Sequence, residues 1–495
     1  MSEVSGKKGV IGKPSLWWAC FPILVTIVLV AIQILFFDES SVQVPILIGV
    51  LVAAGLGWLR GYGWEEMQEG MVRAISSAIP VFFILYVVGM LIGAWIQAGI
   101  VPLMIHIGLE FLSPGLFLFA TCLICSVVSL ATGTSWGTTG TIGLALIGIG
   151  GGLGIPVEIT AGAVVSGAFF GDKISPLSDT TNFTPTVVGC TLFEHIRGML
   201  PVTVPAMLIA LVVYLVVGLG YADQSVDEVA INQTMTVLSQ SFHFSLVLLL
   251  PPIVVLVLAV LKAPALPGLV AGLVAGVMCG LVFQDIGLHE LFAVLLNGYQ
   301  ANTGDQSVDA LLSKGGMMSM NWVISLILCA LALGGVLEST RCLETILGAV
   351  MKFAHTQSRL LLSSLFSVLG VHLASGDVYL AMSLPGRMLA PAYRQRGIQV
   401  TVLSRMMEDG ATVAAPLIPW SSSGVFVAAT LGVGTLAYFP WAIACWASFL
   451  IDVLFALTGK CISKVDEQKS EAEGVFGERE VGGAIALQPS TASGG

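Results

Sequence analysis

The chain has 495 residues, of which 56% are hydrophobic and only 10% charged, and its mean hydropathy is +0.94. Soluble globular domains carry about 25% charged residues, so the composition excludes that class and reads as an all-α polytopic membrane protein whose solvent is the lipid bilayer. The formal charge of −10 comes without a basic stripe, which excludes nucleic acid as a partner.

Residues 1–15 form a cytoplasmic N-terminal segment with Lys7, Lys8 and Lys13. The apolar run at 16–37 lacks a small-residue cleavage site, so it reads as a first membrane helix rather than a signal peptide. Further runs of spanning length, about 20 residues for a ~30 Å core, lie near 43–58, 74–97, 199–220, 244–260, 263–283, 317–338 and 437–459. Two stretches, 113–190 and 358–435, are apolar but broken by Gly, Ser, Thr, Pro and charges. This divides the chain into N-terminal membrane helices (16–73), a first repeat (74–220), linker loops with two helices (221–316), a second repeat (317–460) and a disordered cytoplasmic tail (461–495). The count is about 10 spans plus two re-entrant hairpins, or about 12–14 spans if the hairpins cross. Lys and Arg avoid 221–243 and most of 284–316 and gather at the opposite ends, so both termini are expected in the cytoplasm.

The two broken stretches match each other at an offset of 243 residues. Ala131-x-Gly133 falls on Ala374-x-Gly376, Gly154-Ile155 on Gly397-Ile398, Gly167-Ala168 on Gly410-Ala411, and Pro176-Leu-Ser178 on Pro419-Trp-Ser421. The helix leading into the first copy starts beside Arg73, and the one leading into the second ends beside Arg341. By the same charge rule the copies are inverted, the architecture in which discontinuous helices meet near the membrane midplane. Each copy is expected to hold a two-legged segment (115–152, 360–393) and then a discontinuous helix (156–190, 398–434).

The chemistry concentrates in GDKISPLSDTTN, residues 171–182. A charge at bilayer depth costs at least ~2.5–3.5 kcal/mol, yet Asp172, Lys173 and Asp179 stand here together. Pro176 makes an unbroken helix improbable, so the two carboxylates are expected to flank a break. Ser178, Thr180, Thr181 and Asn182 add oxygens, and Thr134 and Ser135 crowd the preceding turn. Carboxylates, hydroxyls and freed carbonyls suit a hard cation or a proton. The second copy contributes Asp377 at its own turn, with Glu408 and Asp409 before the break as further candidates or as partners of Arg405. Lys173 is a candidate counter-charge or proton carrier. Arg387 would hold a carboxylate substrate or pair with Asp377 or Glu408, and the pairing is favoured. His372 is a weaker relay candidate, Glu158 and Glu338 read as interfacial, and Cys122 and Cys125 as small packing residues. Gly133-Thr-Ser135-Trp-Gly137 fits G-x-S-x-G, but that motif needs a strand–turn–helix and a His–acid pair, neither evident.

With these residues in hand, the chain resembles the NhaC-type Na+/H+ antiporter family. Gly171-Asp172-Lys173 and Ser175–Asn182 look like its signature, and Gly133–Gly137 is similar to its upstream segment. The resemblance covers about 15–460 and implies an inverted-repeat ion transporter of the cell membrane, often dimeric, with a scaffold and a mobile transport domain. It implies Na+ at Asp172 and Asp179, Na+ and protons as the transported ions, and no cofactor or enzymatic activity. Other relatives couple Na+ or H+ to malate, lactate or amino acids, so a small organic anion is the alternative partner.

Overall fold

The computed structural model describes residues 12–37, 42–111, 113–222, 228–261, 263–284 and 286–464. The start of the N-terminal segment and the tail beyond 464 lie outside them. Among the described residues there is no strand, only an isolated bridge between Ile398 and Lys464. Eight helices among the described residues are long and apolar enough to cross a membrane, or up to 10 if two bent pairs each count as one span. The protein is a multi-pass membrane protein.

The N-terminal helices are α1 (Leu16–Phe37), α2 (Gln43–Leu59), α3 (Trp64–Ser77), α4 (Ile79–Gln97) and α5 (Ile100–Phe111). The expected run at 74–97 is split, because α3 ends at Ser77 and Pro80 opens α4, where a missing N–H costs nothing. Next come α6 (Pro114–Thr132), α7 (Ser135–Thr138), a π turn over 139–143, α8 (Leu144–Gly152), α9 (Val157–Ile174), α10 (Asp179–Val188) and the long α11 (Leu192–Ala222). The linker holds α12 (Glu228–Ser241), α13 (Leu250–Val260), α14 (Ala265–Phe283), α15 (Leu288–Asn297) and α16 (Gln306–Leu312). The last third comprises α17 (Asn321–Ser339), α18 (Cys342–Phe353), α19 (Gln357–Ser375), α20 (Val378–Gln395), α21 (Val400–Gly410), α22 (Ser422–Leu431), α23 (Thr435–Tyr438) and α24 (Ile443–Thr458).

The 243-residue offset relates helix bounds as well as residues. α6 at 114–132 corresponds to α19 at 357–375, the α7–α8 leg at 135–152 to α20 at 378–395, and α10 at 179–188 to α22 at 422–431. α9 and α21 start at 157 and 400. α4 and α5 match α17 and α18 one residue less far along, at 79 against 321 and 100 against 342. The copies diverge at their ends: α11 is continuous, whereas the span from Thr435 to Thr458 bends by 64°.

In each copy the two-legged segment turns on a left-handed glycine, Gly133 at φ 70° and Gly376 at φ 67°. A side chain at Gly133 would also strike the Leu177 backbone. α9 packs along α6 so closely that a Cβ on Gly167 would lie 2.3 Å from the Cys122 carbonyl, and one on Gly171 2.4 Å from that of Ser126. Small residues permit such contact, as they do between membrane helices generally. Cys122 and Cys125 are free and buried in this seam.

Candidate functional site

The sequence breaks α9 after Ile174 because Pro176 cannot continue the ladder, and α10 restarts with Ser178 as N-cap. Asp172 thus ends one half-helix and Asp179 begins the next. Thr181 donates to the carbonyls of Asp172 (3.2 Å) and Lys173 (3.0 Å), and the Asn182 amide to those of Pro176 (2.9 Å) and Ser178 (2.7 Å). These two side chains brace the break through their hydrogens, and their oxygens keep lone pairs. Ser178 Oγ lies 3.0 Å from Thr180 Oγ1.

A cavity of about 170 Å³ opens beside the break. Its wall includes Thr134, Ser135, Asp172, Asp179, Thr180 and Asp377, with Thr412, Ser422 and Ser423 from the second copy. Asp172 is 5% exposed; its Oδ2 accepts from Ser135 at 2.6 Å, while Oδ1 has no hydrogen-bond partner. Asp179 Oδ2 accepts from the Tyr379 hydroxyl (2.5 Å), and its Oδ1 from the Thr180 N–H (2.8 Å). Asp377 is the N-cap of α20 and accepts from the Leu380 N–H at 2.6 Å. Trp136 stacks on Phe426 at 4.4 Å and donates to Ser423, tying the first turn to α22. A second cavity of about 460 Å³, shared at Thr134, Gly137 and Asp179, extends toward α13 and α14. Among the described residues no Lys, Arg or His lines either cavity.

A buried charged cluster adjoins this site. Lys173 reaches Asp409 at 2.5 Å and Ser448 at 3.0 Å, and Ser448 donates to Asp409 at 2.5 Å. Arg405 pairs with Asp452 of α24 at 2.8 Å and donates to the Cys461 carbonyl at 3.0 Å. All four ionic side chains are at most 2% exposed. Buried ions need such partners, because desolvation costs several kcal/mol per ion. Asp409 is therefore the partner of Lys173, and Arg405 belongs to Asp452 rather than to the acids beside it on α21. Glu408 accepts from Thr184 at 2.7 Å and faces His195.

Arg387 is exposed on α20 and pairs with neither Asp377 nor Glu408, against expectation. His372 is buried without a hydrogen-bond partner on either nitrogen. Glu338 is exposed and Glu158 half-buried in the first turn of α9. The Gly133–Gly137 motif follows a helix rather than a strand, and its serine bonds to Asp172. Tyr379, Ser448 and Asp452 belong to no motif in the sequence, and His195, like the other five histidines, stands in no ligand spacing. Asp452 could have been found as an acid inside the last apolar run.

Spanning helices, interrupted helices meeting at a carboxylate cavity, and a repeated architecture define the class of polytopic membrane transport proteins. The family model described as the Na+/H+ antiporter family matches residues 10–190 and 167–460. The chain is 37% identical to the Na+/H+ antiporter NhaC of Alkalihalophilus pseudofirmus over 90% of its length and 96% of the relative's. It is 34% identical to a malate-2H+/Na+-lactate antiporter of Bacillus subtilis (88% and 93% covered) and 36% identical to the arginine/ornithine antiporter ArcD of Halobacterium salinarum (93% and 96%). The chain belongs to the Na+/H+ antiporter family.

Proposed function

We propose that the protein exchanges Na+ for protons across the cell membrane, with Na+ held by Asp172 and Asp179 and assisted by Asp377, Ser135, Thr134 and Thr180. The observation that carries this reading is the buried, partnerless Oδ1 of Asp172 in a cavity of acids and hydroxyls. Hard cations prefer such oxygens. A proton on the carboxyl and a Na+ beside it occupy the same lone pairs, so one excludes the other. Moving an empty, doubly charged site through a low-dielectric medium is costly, and that cost couples the fluxes. Lys173 is paired with Asp409, so its charge is offset within that buried pair rather than at the cavity. The matched helix bounds support two repeats, and the Lys and Arg distribution supports their inversion and cytoplasmic termini.

A second reading, exchange of an organic solute, draws on the adjoining cavity of about 460 Å³. Its lining favours a cationic amino group over a dicarboxylate, because Asp179 faces it and no basic side chain does. Arg387, exposed on α20, gives a carboxylate no anchor there.

The test uses proteoliposomes with an acidic lumen and an internal pH dye. Lumen alkalinisation on adding external Na+ alone, with a protonophore and K+-valinomycin controlling leak and potential, is the expected result. A response that requires malate, lactate or an amino acid inside would overturn Na+/H+ exchange in favour of the second reading.

A further inference from the structure

α10 is gripped at two points. Asp179 at its start accepts from Tyr379, and farther along Thr184 Oγ1 lies 2.7 Å from Glu408 Oε1 on α21. Glu408 and His195 of α11 are fully buried, with His195 Nε2 3.7 Å from Glu408 Oε1. Neither lines either cavity.

His195 Nδ1 lies 2.8 Å from Ser404 Oγ, whose one hydroxyl hydrogen can reach the Thr401 carbonyl at 2.9 Å. With that hydrogen on the Thr401 carbonyl, Ser404 accepts from His195 Nδ1–H and Nε2 is a bare lone pair. That lone pair faces a carboxyl oxygen, and neither Nε2 nor Glu408 Oε2 has another hydrogen-bond partner. Two buried acceptors facing each other repel; one added proton turns them into a donor–acceptor pair. Thr184 fits both states, since its one hydrogen reaches Glu408 at 2.7 Å or the Thr180 carbonyl at 3.0 Å. The surrounding charges are already committed: Asp409 to Lys173 of α9, and Arg405 to Asp452 of α24. α19 brings His372, α20 brings Tyr393, whose hydroxyl bonds Ser364, and α10 brings Asp179 at its far end.

We propose that Glu408 and His195 form a proton-binding site separate from the cation cavity, and that α10, held by Asp179 at one point and Thr184 at the other, links the two. The proposal rests on the Na+/H+ reading above and adds a second place for the proton. Loss of a proton from the pair restores the facing acceptors and the pull of Glu408 on Thr184, and α10 carries that change to Asp179.

The experiment compares two exchange modes in the same proteoliposomes: Na+ uptake driven by a pH gradient, and exchange of radioactive Na+ for unlabelled Na+. Glu408→Gln is expected to cut the first by at least ~10-fold, about 1.4 kcal/mol, and to hold the second within about twofold. Both modes intact, or both lost together in protein that stays monodisperse, would overturn the proposal. Wild-type protein that moves Na+ in neither mode would overturn the Na+/H+ reading itself. His195→Leu removes the ring nitrogen that faces Glu408, so the pH profile of Na+/H+ exchange should change. An unchanged profile refutes the pair even where Glu408→Gln fails to fold.

Discussion

Replacing Asp172 by Asn removes one negative charge from a cavity that offers a cation no other buried, partnerless carboxylate oxygen. The amide keeps an oxygen for the 2.6 Å bond from Ser135, so the local structure loses only the charge-assisted part of that bond, about 1 kcal/mol. The cation loses far more. A unit charge pair at about 4 Å in an effective dielectric of about 20 is worth about 4 kcal/mol, and at about 1.4 kcal/mol per decade that is close to 10³-fold in affinity. The assay is the half-saturating Na+ concentration for exchange in proteoliposomes, with size-exclusion chromatography and circular dichroism on the same preparation as the fold control. A folded variant whose half-saturation stays within about tenfold of wild type, under about 1.4 kcal/mol, would refute Asp172 as a ligand.

The other predictions separate structure from transport. Lys173→Met strands Asp409 and should destabilise the protein by about 3–5 kcal/mol, whereas Lys173→Met combined with Asp409→Leu should recover most of it; thermal unfolding in detergent reads both, and equal losses would remove the ion-pair argument. Gly167→Ala and Gly171→Ala each push a methyl group into the α6 backbone, so each should cost about 1–3 kcal/mol in the same assay, while Gly220→Ala, which has open space around it, should cost little. Ser135→Ala removes the 2.6 Å hydrogen bond that Asp172 Oδ2 accepts. It should shift half-saturation for Na+ by roughly tenfold, the worth of one charge-assisted hydrogen bond, and complete loss of every transport mode in folded protein would instead point to a covalent role for the serine.

The broken helices were legible from the chain itself. Pro176 between two acids, and Gly133 and Gly376 ahead of a capping residue, dictate local backbone geometry, and local geometry depends only on neighbours along the chain. The repeat was legible for the same reason: one offset carries the glycines and prolines that end helices, so it carries the helix bounds too. Which polar side chains meet was not legible. Asp172 and Lys173 are adjacent, but helical rotation sends one to Ser135 and the cavity, the other to Asp409 and Ser448 on two different helices. Glu408 and Asp409 part in the same way, toward His195 and Lys173. Asn182 and Thr181 looked like ligands by composition; their hydrogens go to the freed carbonyls at the break, and their side-chain oxygens keep lone pairs. Arg387 looked like a partner for the acids, but its face of α20 turns outward. Sequence therefore determined the class, the breaks and the residue types that must be buried. The packing of helices distant in the chain decided which buried charge is neutralised and which carboxylate oxygen is left without a partner.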